Sequence, residues 1–238
     1  MSYQGGKQRL GKRIHDILDD VASNFENEDE KLPYFEPFVG YCGVIKHFGD
    51  ERECYACDSN PSIIKMWKSI QRNWEPPKTY TKSMYYTLKG KSHSAEKGFI
   101  GCVCSYGGIF MGGWKGNDKG IKGGINSLMK IKPKIKKVNF LGSSCYTKFQ
   151  PNNMLIYCDP PYENNTYGNV NKYFKFDHKE FWNVMRKWSK NNIVVISEYS
   201  APKDFIKIWD VKMDIYAGLV KERTECLFIH NSLYKKVT

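Results

Sequence analysis

Short apolar runs alternate with amphipathic segments along most of this chain. Runs rich in β-branched, aromatic or small apolar residues predict buried strands. They lie at residues 54–58, 138–141, 155–158 and 193–199, and a further strand starts near residue 34 and ends in the turn with Gly40, after which a helix begins. Apolar residues spaced three and four apart predict amphipathic helices. These lie at residues 9–22, 61–71 and 177–189. The alternation of strands and helices favours a mixed, mainly parallel α/β sheet.

The remaining segments predict turns, irregular structure and a final pair of strands. Residues 210–215 and 225–229 suit a terminal hairpin, and residues 201–206 predict a turn into a short helical segment. Residues 73–96 are polar and rich in Tyr and Lys, so no regular element is expected there. Residues 107–124 contain too many glycines for a regular element and predict either an ordered loop with aromatic tips or a flexible lid.

Composition and charge restrict the class of protein. The chain has 238 residues, of which 41% are hydrophobic, and this is enough for one core without a membrane span. Residues 1–12 lack an apolar signal region, so we expect a cytoplasmic location. The eight cysteines lie mostly in apolar runs and are expected to be reduced. A formal charge of +12 favours nucleic acid as a partner, although a generally Lys-rich composition would give the same charge.

Metal binding has weak support in the sequence. Cys54 and Cys57 have the spacing of a zinc-binding pair, but no second pair of Cys or His residues complements them. We therefore expect a buried structural pair and no metal.

The run at residues 155–158 stops at Asp159-Pro160-Pro161-Tyr162. Neither proline has an N–H group, and the second restricts the first to an extended conformation, so the chain should leave the sheet as a stiff loop. Ligands bind outside the carboxyl ends of strands in open α/β sheets. The exit would present a carboxylate, the Pro160 carbonyl and the Tyr162 ring there. The alternative is a proline-terminated strand whose Asp159 only solvates the turn.

Two further patterns suit a nucleoside-containing cofactor. The first strand runs into a turn with Gly40 and Gly43, and glycines let a backbone approach a cofactor closely. Asp58 ends the next strand about 20 residues after Glu36, where nucleoside-binding α/β folds place the acceptor for ribose hydroxyls. An alternative role for Asp58 is the N-cap of the following helix, with Asn60 as the rival cap.

The chain opens on Tyr3-Gln4-Gly5-Gly6-Lys7, a glycine turn before a basic helix. Such a turn can form a backbone nest that, with a cation and an aromatic ring, faces an anionic ligand. The alternative is a plain loop that leads into the helix.

With these motifs in this order, the chain resembles the D12 class of DNA adenine-N6 methyltransferases, the Dam-type enzymes, over nearly its whole length. Asp159-Pro160-Pro161-Tyr162 matches the catalytic motif of that family residue for residue. Residues 38–43 match its cofactor loop, with the two glycines one position further apart than in the usual motif.

Other segments resemble the compact, phage-type members of the family. They are residues 107–114, 197–202 and 222–228. The resemblance implies a Rossmann-like S-adenosylmethionine-dependent methyltransferase fold with a C-terminal antiparallel hairpin. It also implies a catalytic core over residues 1–75 and 137–238 and a small target-recognition insertion over residues 76–136.

The implied function is site-specific methylation of the N6 amine of a flipped adenine in DNA, as in restriction–modification systems. The implied catalytic residues are Asp159, Pro160, Pro161 and Tyr162. The implied contacts to S-adenosyl-L-methionine are Tyr3, Gly6, Lys7, Glu36, Pro37, Phe38, Gly40, Asp58 and Asp159. The residues expected to contact DNA are Lys7, Lys82, Lys89, Tyr106, Phe110, Trp114, Lys115, Asn117 and Tyr167.

The expected partner is double-stranded DNA, bound by a monomer, with a dimer on DNA as the alternative. Two other functions remain open at this point. Related Pro-Pro motifs also occur in RNA adenine and guanine amino-methyltransferases. A basic DNA-binding relative without catalytic activity would share the same fold.

Overall fold

The computed structural model describes residues 5–27, 30–163, 176–213 and 223–237. Its helices are α1 (Gly11–Ser23), α2 (Pro61–Gln71), α3 (Lys82–Gly90), α4 (Ala95–Val103), α5 (Asp118–Ile131), α6 (His178–Trp188) and α7 (Asn231–Val237). Its strands are β1 (Tyr34–Glu36), β2 (Cys54–Asp58), β3 (Asn139–Ser143), β4 (Leu155–Cys158), β5 (Ile193–Glu198), β6 (Phe205–Met213) and β7 (Arg223–His230).

These seven strands form one sheet in the order β3-β2-β1-β4-β5-β7-β6. The pairs β1–β4, β2–β3 and β4–β5 are parallel, whereas β7 is antiparallel to both β5 and β6. Strand order reverses between β1 and β4, as it does at the switch point of a doubly wound sheet. The predicted fold class, a Rossmann-like mixed sheet with an antiparallel C-terminal pair, is confirmed.

The chain divides into two compact units. The first contains Met1–His15 and Pro37–Lys148, and the second contains Asp16–Glu36 and Phe149–Thr238. The division into a catalytic core and a target-recognition insertion is a functional one and stays a prediction.

In the first unit, helices occupy two segments that the sequence predicted to be irregular. Helix α3 lies inside residues 73–96, where the Thr81 side chain accepts a hydrogen bond from the Met84 amide at 3.2 Å. Helix α5 begins inside the glycine-rich segment 107–124, because Asn117 caps it through the Gly120 amide at 2.8 Å. The prediction of irregular structure is therefore wrong for residues 82–90 and 118–124.

Close helix packing explains a glycine inside α5. A Cβ atom on Gly124 would lie 2.7 Å from Cγ1 of Val103, so only glycine lets α5 approach α4 this closely. The same holds for α4 and α2, since a Cβ on Gly98 would lie 2.3 Å from the Ser62 carbonyl oxygen. Glycine is thus a packing residue in this helical layer, and its weak intrinsic helix propensity is outweighed.

The second unit contains the strands β1, β4, β5, β7 and β6. Every residue of β4 and β5 is buried, as their apolar sequences predict. Helix α6 begins where the sequence placed it, because the Asp177 side chain accepts a hydrogen bond from the Glu180 amide at 2.9 Å. The predicted short helical segment at residues 201–206 is wrong at its end. Phe205 already pairs with His230 in the β6–β7 ladder, and this pairing outweighs the local turn signal.

Three further properties of the described residues concern disulfide bonds, metal sites and membrane-spanning helices. The eight cysteines are free thiols. Within the described ranges, no group of three or more His, Cys, Asp and Glu side chains is arranged to hold a metal ion. None of the helices there has both the length and the apolar character needed to cross a membrane.

Candidate active site and cofactor loop

The Asp-Pro-Pro-Tyr segment leaves the sheet directly after β4. Asp159 is half-buried, Pro160 is buried, Pro161 is exposed and Tyr162 is half-buried. The strand ends at Cys158, as expected from two residues that lack an N–H group. The predicted polar exit at the carboxyl end of a buried strand is therefore present.

Two partners in the second unit hold the Tyr162 side chain. Its hydroxyl group donates a hydrogen bond to Oε1 of Glu225 in β7. Its ring meets the Tyr199 ring edge to face, with centroids 4.6 Å apart and an interplanar angle of 89°. Burial raises the pKa of the Tyr162 phenol well above its usual value, and the nearby Asp159 and Glu225 carboxyl groups raise it further. The phenol is therefore protonated and donates.

Glu198, the last residue of β5, holds the backbone that follows Tyr162. Its Oε2 atom accepts the Glu163 amide at 3.2 Å and its Oε1 atom accepts the Tyr199 amide at 2.8 Å. Glu198 is only 3% exposed, and burial raises the pKa of its carboxyl group to about 7. The two amide bonds lower this pKa, whereas Asp159 and Glu163 raise it. Glu198 thus carries a carboxyl group that titrates near neutral pH beside the loop.

Buried hydroxyl groups of β1, β4 and β5 also form hydrogen bonds. The Tyr157 hydroxyl in β4 shares a hydrogen bond of 2.6 Å with Oγ of Ser197 in β5. The Tyr34 hydroxyl in β1 donates to Oε2 of Glu36 at 3.0 Å, and Glu36 is 3% exposed. Glu36 therefore lies at the buried carboxyl end of β1, in hydrogen bond contact with its own strand.

Asp58 ends β2 in the first unit, and both of its carboxylate oxygens bind backbone amides. Oδ2 accepts the Gly40 amide at 2.9 Å and Oδ1 accepts the Asn60 amide at 2.8 Å. Burial raises the pKa of Asp58, and the two amide bonds oppose that rise. The cap of α2 is Asn60, whose side chain accepts the Ser62 amide at 3.0 Å. Asp58 instead fastens the glycine loop to the end of β2.

Gly40 is the central residue of that loop. Its amide binds Asp58, and its carbonyl oxygen accepts a hydrogen bond from Nε1 of Trp67 at 2.8 Å. Its φ of +44° lies in the left-handed region that favours glycine. The Val39 amide adds a bond of 3.0 Å to the Cys57 carbonyl. These three hydrogen bonds hold the loop, and a single 3₁₀ turn, Ile45–His47, follows it where the sequence predicted a helix.

The N-terminal segment lies directly on the same loop. A Cβ atom on Gly43 would come within 3.1 Å of the Lys7 backbone, and a Cβ on Gly11 would lie 2.0 Å from the Gly43 carbonyl oxygen. Lys7 is 9% exposed, and its Nζ atom donates to the Gly5 carbonyl at 3.3 Å. Gly43 and Gly11 therefore act as packing glycines that bring Lys7 to the glycine loop.

The chemistry of these residues fits S-adenosylmethionine. A carboxylate offers about four lone-pair positions, so Asp58 retains acceptor capacity for ribose hydroxyls beyond its two amide bonds. The Lys7 ammonium group suits a carboxylate. Gly6 is exposed, Pro37 is buried, and Phe38 packs on Tyr146 with centroids 5.2 Å apart. Tyr3 lies outside the described residues.

The expected DNA-contacting residues fall into two groups. Lys82, Lys89, Tyr106 and Lys115 are exposed. Tyr106 is 57% exposed, and Nζ of Lys115 lies 5.4 Å from the centroid of its ring. These side chains are accessible to a nucleic acid.

The second group has roles within the protein. The Phe110 ring packs on α4, since a Cβ on Gly101 would lie 2.6 Å from its Cε2 atom. The Trp114 ring meets Tyr85 at 5.6 Å, and Asn117 caps α5. The loop at residues 105–115 is ordered, because the Lys115 amide binds the Cys104 carbonyl at 2.7 Å. Tyr167 lies outside the described residues.

Sequence reasoning did not assign roles to Glu198, Glu225, Tyr199 or Trp67. A signal for the two acids was present. Each stands in an apolar, strand-forming run, and buried acids need specific partners. The sequence offered no comparable signal for Trp67, which is buried in α2 like any core residue.

Residues 3–101 match the model of a protein family described as D12 class N6 adenine-specific DNA methyltransferase. The match confirms the resemblance inferred from the motifs, and it supports a DNA adenine-N6 methyltransferase that uses a methyl donor of the S-adenosylmethionine type. It covers the N-terminal segment, the glycine loop and Asp58, whereas Asp159 lies beyond it.

No match was found among curated proteins. Among solved structures, the chain is similar to two structures of the rRNA methyltransferase aviRa from Streptomyces viridochromogenes. The first has a TM-score of 0.41 and 7% sequence identity, covering 94% of this chain and 87% of that chain. The second has a TM-score of 0.39 and 8% identity, covering 94% and 86%.

Proposed function

We propose that this protein transfers a methyl group from S-adenosyl-L-methionine to the N6 amine of an adenine in DNA. The observation that carries the proposal is the complete Asp-Pro-Pro-Tyr exit after β4, in a chain whose N-terminal part matches the adenine methyltransferase family. The exit presents an acceptor carboxylate, an acceptor carbonyl and an aromatic ring, and each has a role in this reaction.

Asp159 and Pro160 align the amine. The lone pair of an exocyclic adenine amine is delocalised into the ring, so the amine is a poor nucleophile. The Asp159 carboxylate and the Pro160 carbonyl accept hydrogen bonds from its two N–H groups and favour a pyramidal nitrogen. Preorganised acceptors of this kind act through electrostatics and orientation, without a covalent intermediate.

Tyr162 binds the base itself. The N6 amine is inaccessible inside a duplex, so the adenine must be flipped out of the stack. The Tyr162 ring supplies a stacking face for it, and the edge-to-face contact with Tyr199 fixes the plane of that ring. Flipped bases bind through such aromatic faces because every base has a π surface.

The residues of the first unit hold the methyl donor. S-adenosylmethionine supplies the electrophilic methyl group. Asp58 accepts hydrogen bonds from ribose hydroxyls, and Lys7 pairs with the carboxylate at the methionine end. Gly6 and Gly40 leave room for close approach of the backbone. The ordered hydrogen bonds of the loop support this assignment, because binding then costs little further ordering.

Double-stranded DNA is the substrate that the matching family model favours, and the positive charge of the chain suits it. Lysines of the proposed target-recognition region, residues 76–136, contact phosphates and position the duplex, and Tyr106 stacks. A net charge of +12 suits a polyanion of either kind, so the test compares DNA with RNA directly.

The test measures transfer of a tritiated methyl group to duplex DNA, single-stranded DNA and RNA. We expect transfer to duplex DNA, and sequencing of the product locates N6-methyladenine in one sequence context. Asp159→Ala should lose transfer by about 10²–10³-fold while binding DNA as the wild type does. Preferential methylation of RNA would contradict the DNA assignment, and equal failure of wild type and variant would contradict methyl transfer.

A further inference from the structure

Two carboxyl groups from neighbouring strands hold the loop that carries Tyr162. Glu225 in β7 accepts the Tyr162 hydroxyl, and Glu198 in β5 accepts the amide of Glu163, the next residue. Glu198 pairs with Cys226 in the antiparallel β5–β7 ladder, so Glu198 and Glu225 come from adjacent positions of paired strands. One residue holds the side chain and the other holds the backbone.

Two prolines remove the N–H groups through which residues 160 and 161 could have bound the sheet. Stacking of a base needs a defined ring plane, and a tyrosine ring turns about two side-chain bonds. A hydrogen bond from the phenol oxygen fixes the far end of the ring and so restricts rotation about Cα–Cβ, whereas the contact with Tyr199 restricts rotation about Cβ–Cγ.

The energetic cost of this arrangement points to a functional role. Glu225 is 8% exposed and Glu198 is 3% exposed. Burial of a carboxylate is costly unless it receives strong hydrogen bonds. A glutamine at either position would fill a similar volume at lower cost. A carboxylate oxygen accepts a stronger hydrogen bond from a hydroxyl than an amide oxygen does, so a glutamate at position 225 can hold the Tyr162 hydroxyl more tightly than a glutamine.

We propose that Glu225 is a positioning residue that fixes the Tyr162 ring for stacking on the target base, and that Glu198 supports it by holding the backbone at Glu163. The inference rests on the methyl transfer proposed above and deepens it. Glu225 acts through Tyr162 and does not touch the reacting atoms. Strand β7 thereby takes part in base binding.

A double-mutant cycle tests the inference on duplex DNA. Tyr162→Phe removes the hydrogen bond to Glu225 and should lower kcat about tenfold, whereas Glu225→Gln leaves a weaker amide acceptor and should lower kcat by less. The double variant should be no slower than Tyr162→Phe alone, because both changes act on one interaction. Affinity for S-adenosylmethionine should not change. Asp210→Asn is the matched control, since it neutralises an exposed acid of β6 in an ion pair with Lys207 and should leave kcat unchanged.

A second readout separates positioning from general stability. 2-Aminopurine at the target position of the DNA reports whether the flipped base is stacked. We expect stronger fluorescence with Glu225→Gln than with wild type, because a loosely held ring quenches less. Thermal unfolding checks that each variant is folded. If Glu225→Gln does not fold, the kcat and fluorescence of Tyr162→Phe test the positioning role instead.

The outcomes separate the two proposals. Coupled losses in kcat with altered fluorescence support the positioning role. Full activity of folded Glu225→Gln and Tyr162→Phe, or purely additive losses, would overturn the role and leave methyl transfer intact. A wild-type protein that methylates no nucleic acid would overturn both.

Discussion

The carboxyl ends of β2 and β4 both present an aspartate, but different parts of the chain hold the two sites. At the end of β2, the Asp58 oxygens accept hydrogen bonds from the amides of Gly40 and Asn60. These two residues belong to the glycine loop that precedes β2 and to the turn that follows it. At the end of β4, the loop beyond Asp159 is held at Tyr162 and at the Glu163 amide by acids of later strands.

The difference separates two ways of building a binding site. The β2 end is closed by backbone amides, which are present whatever the side chains are, and it suits a constant ligand such as a cofactor. The β4 end is closed by side-chain carboxyl groups, whose charge and identity can change. Its geometry therefore depends on pH and on single substitutions in β5 and β7.

The largest effects should come from neutralising the two aspartates. Asp159→Asn should lower kcat by about 10²–10³-fold with a smaller change in affinity for S-adenosylmethionine, because it replaces the proposed carboxylate acceptor with a neutral amide oxygen. Asp58→Asn should instead weaken cofactor affinity and leave kcat at saturating cofactor nearly unchanged. Calorimetric titration and single-turnover rates measure the two effects. If both variants lost kcat and cofactor affinity to the same extent, the separate roles of Asp159 and Asp58 would be contradicted.

The next effect concerns the pH dependence of stability at Glu198. Its pKa in the folded protein, about 7, exceeds the usual 4.5. The folded state therefore binds a proton more tightly, and the associated stabilisation is complete below about pH 4.5 and is lost as pH rises through 7. The advantage of wild type over Glu198→Gln should fall by up to about 3 kcal/mol between pH 4.5 and 8. Denaturant unfolding of both proteins across this range measures it, and parallel curves would rule out the shifted pKa.

A smaller effect is expected where the N-terminal segment meets the glycine loop. Gly11→Ala should destabilise the protein by about 1–3 kcal/mol, because its Cβ would lie 2.0 Å from the Gly43 carbonyl oxygen, and backbone cannot move aside cheaply. Cofactor affinity should also fall. Gly90→Ala in α3 is the matched control, since its Cβ would meet no atom within 4 Å. Unfolding curves that change equally for both variants would contradict the packing role of Gly11.

The smallest effect should come from the cap of α2. Asn60→Ala should lower the free energy of unfolding by about 1 kcal/mol through loss of the bond to the Ser62 amide. Because the Asn60 backbone amide remains, its bond to Asp58 remains as well, and cofactor affinity should not change. A loss of affinity as large as that of Asp58→Asn would show that the cap itself shapes the cofactor site.

Local signals predicted much of the fold and part of the site. The Asn60-Pro61 start of α2, the Asp177 cap of α6 and the stop of β4 at Pro160 are short-range effects, and the structure contains all three. The acid after β2 was also predicted, although its amide partners were not. The N-terminal part of helix α5 was missed because a glycine-rich sequence predicts loops, whereas packing on α4 requires a glycine at position 124.

The amino-acid sequence alone determined where the main strands begin and end and which residue types stand at their carboxyl ends. Apolar periodicity, capping side chains and proline act within a few residues, so they can be recognised in the chain itself. Only the tertiary structure decided that Glu225 holds Tyr162, that Glu198 holds the next amide, and that Gly11 and Gly43 bring Lys7 to the loop. The physical reason is that these contacts join residues far apart in sequence, and such contacts form only when the strands and helices pack.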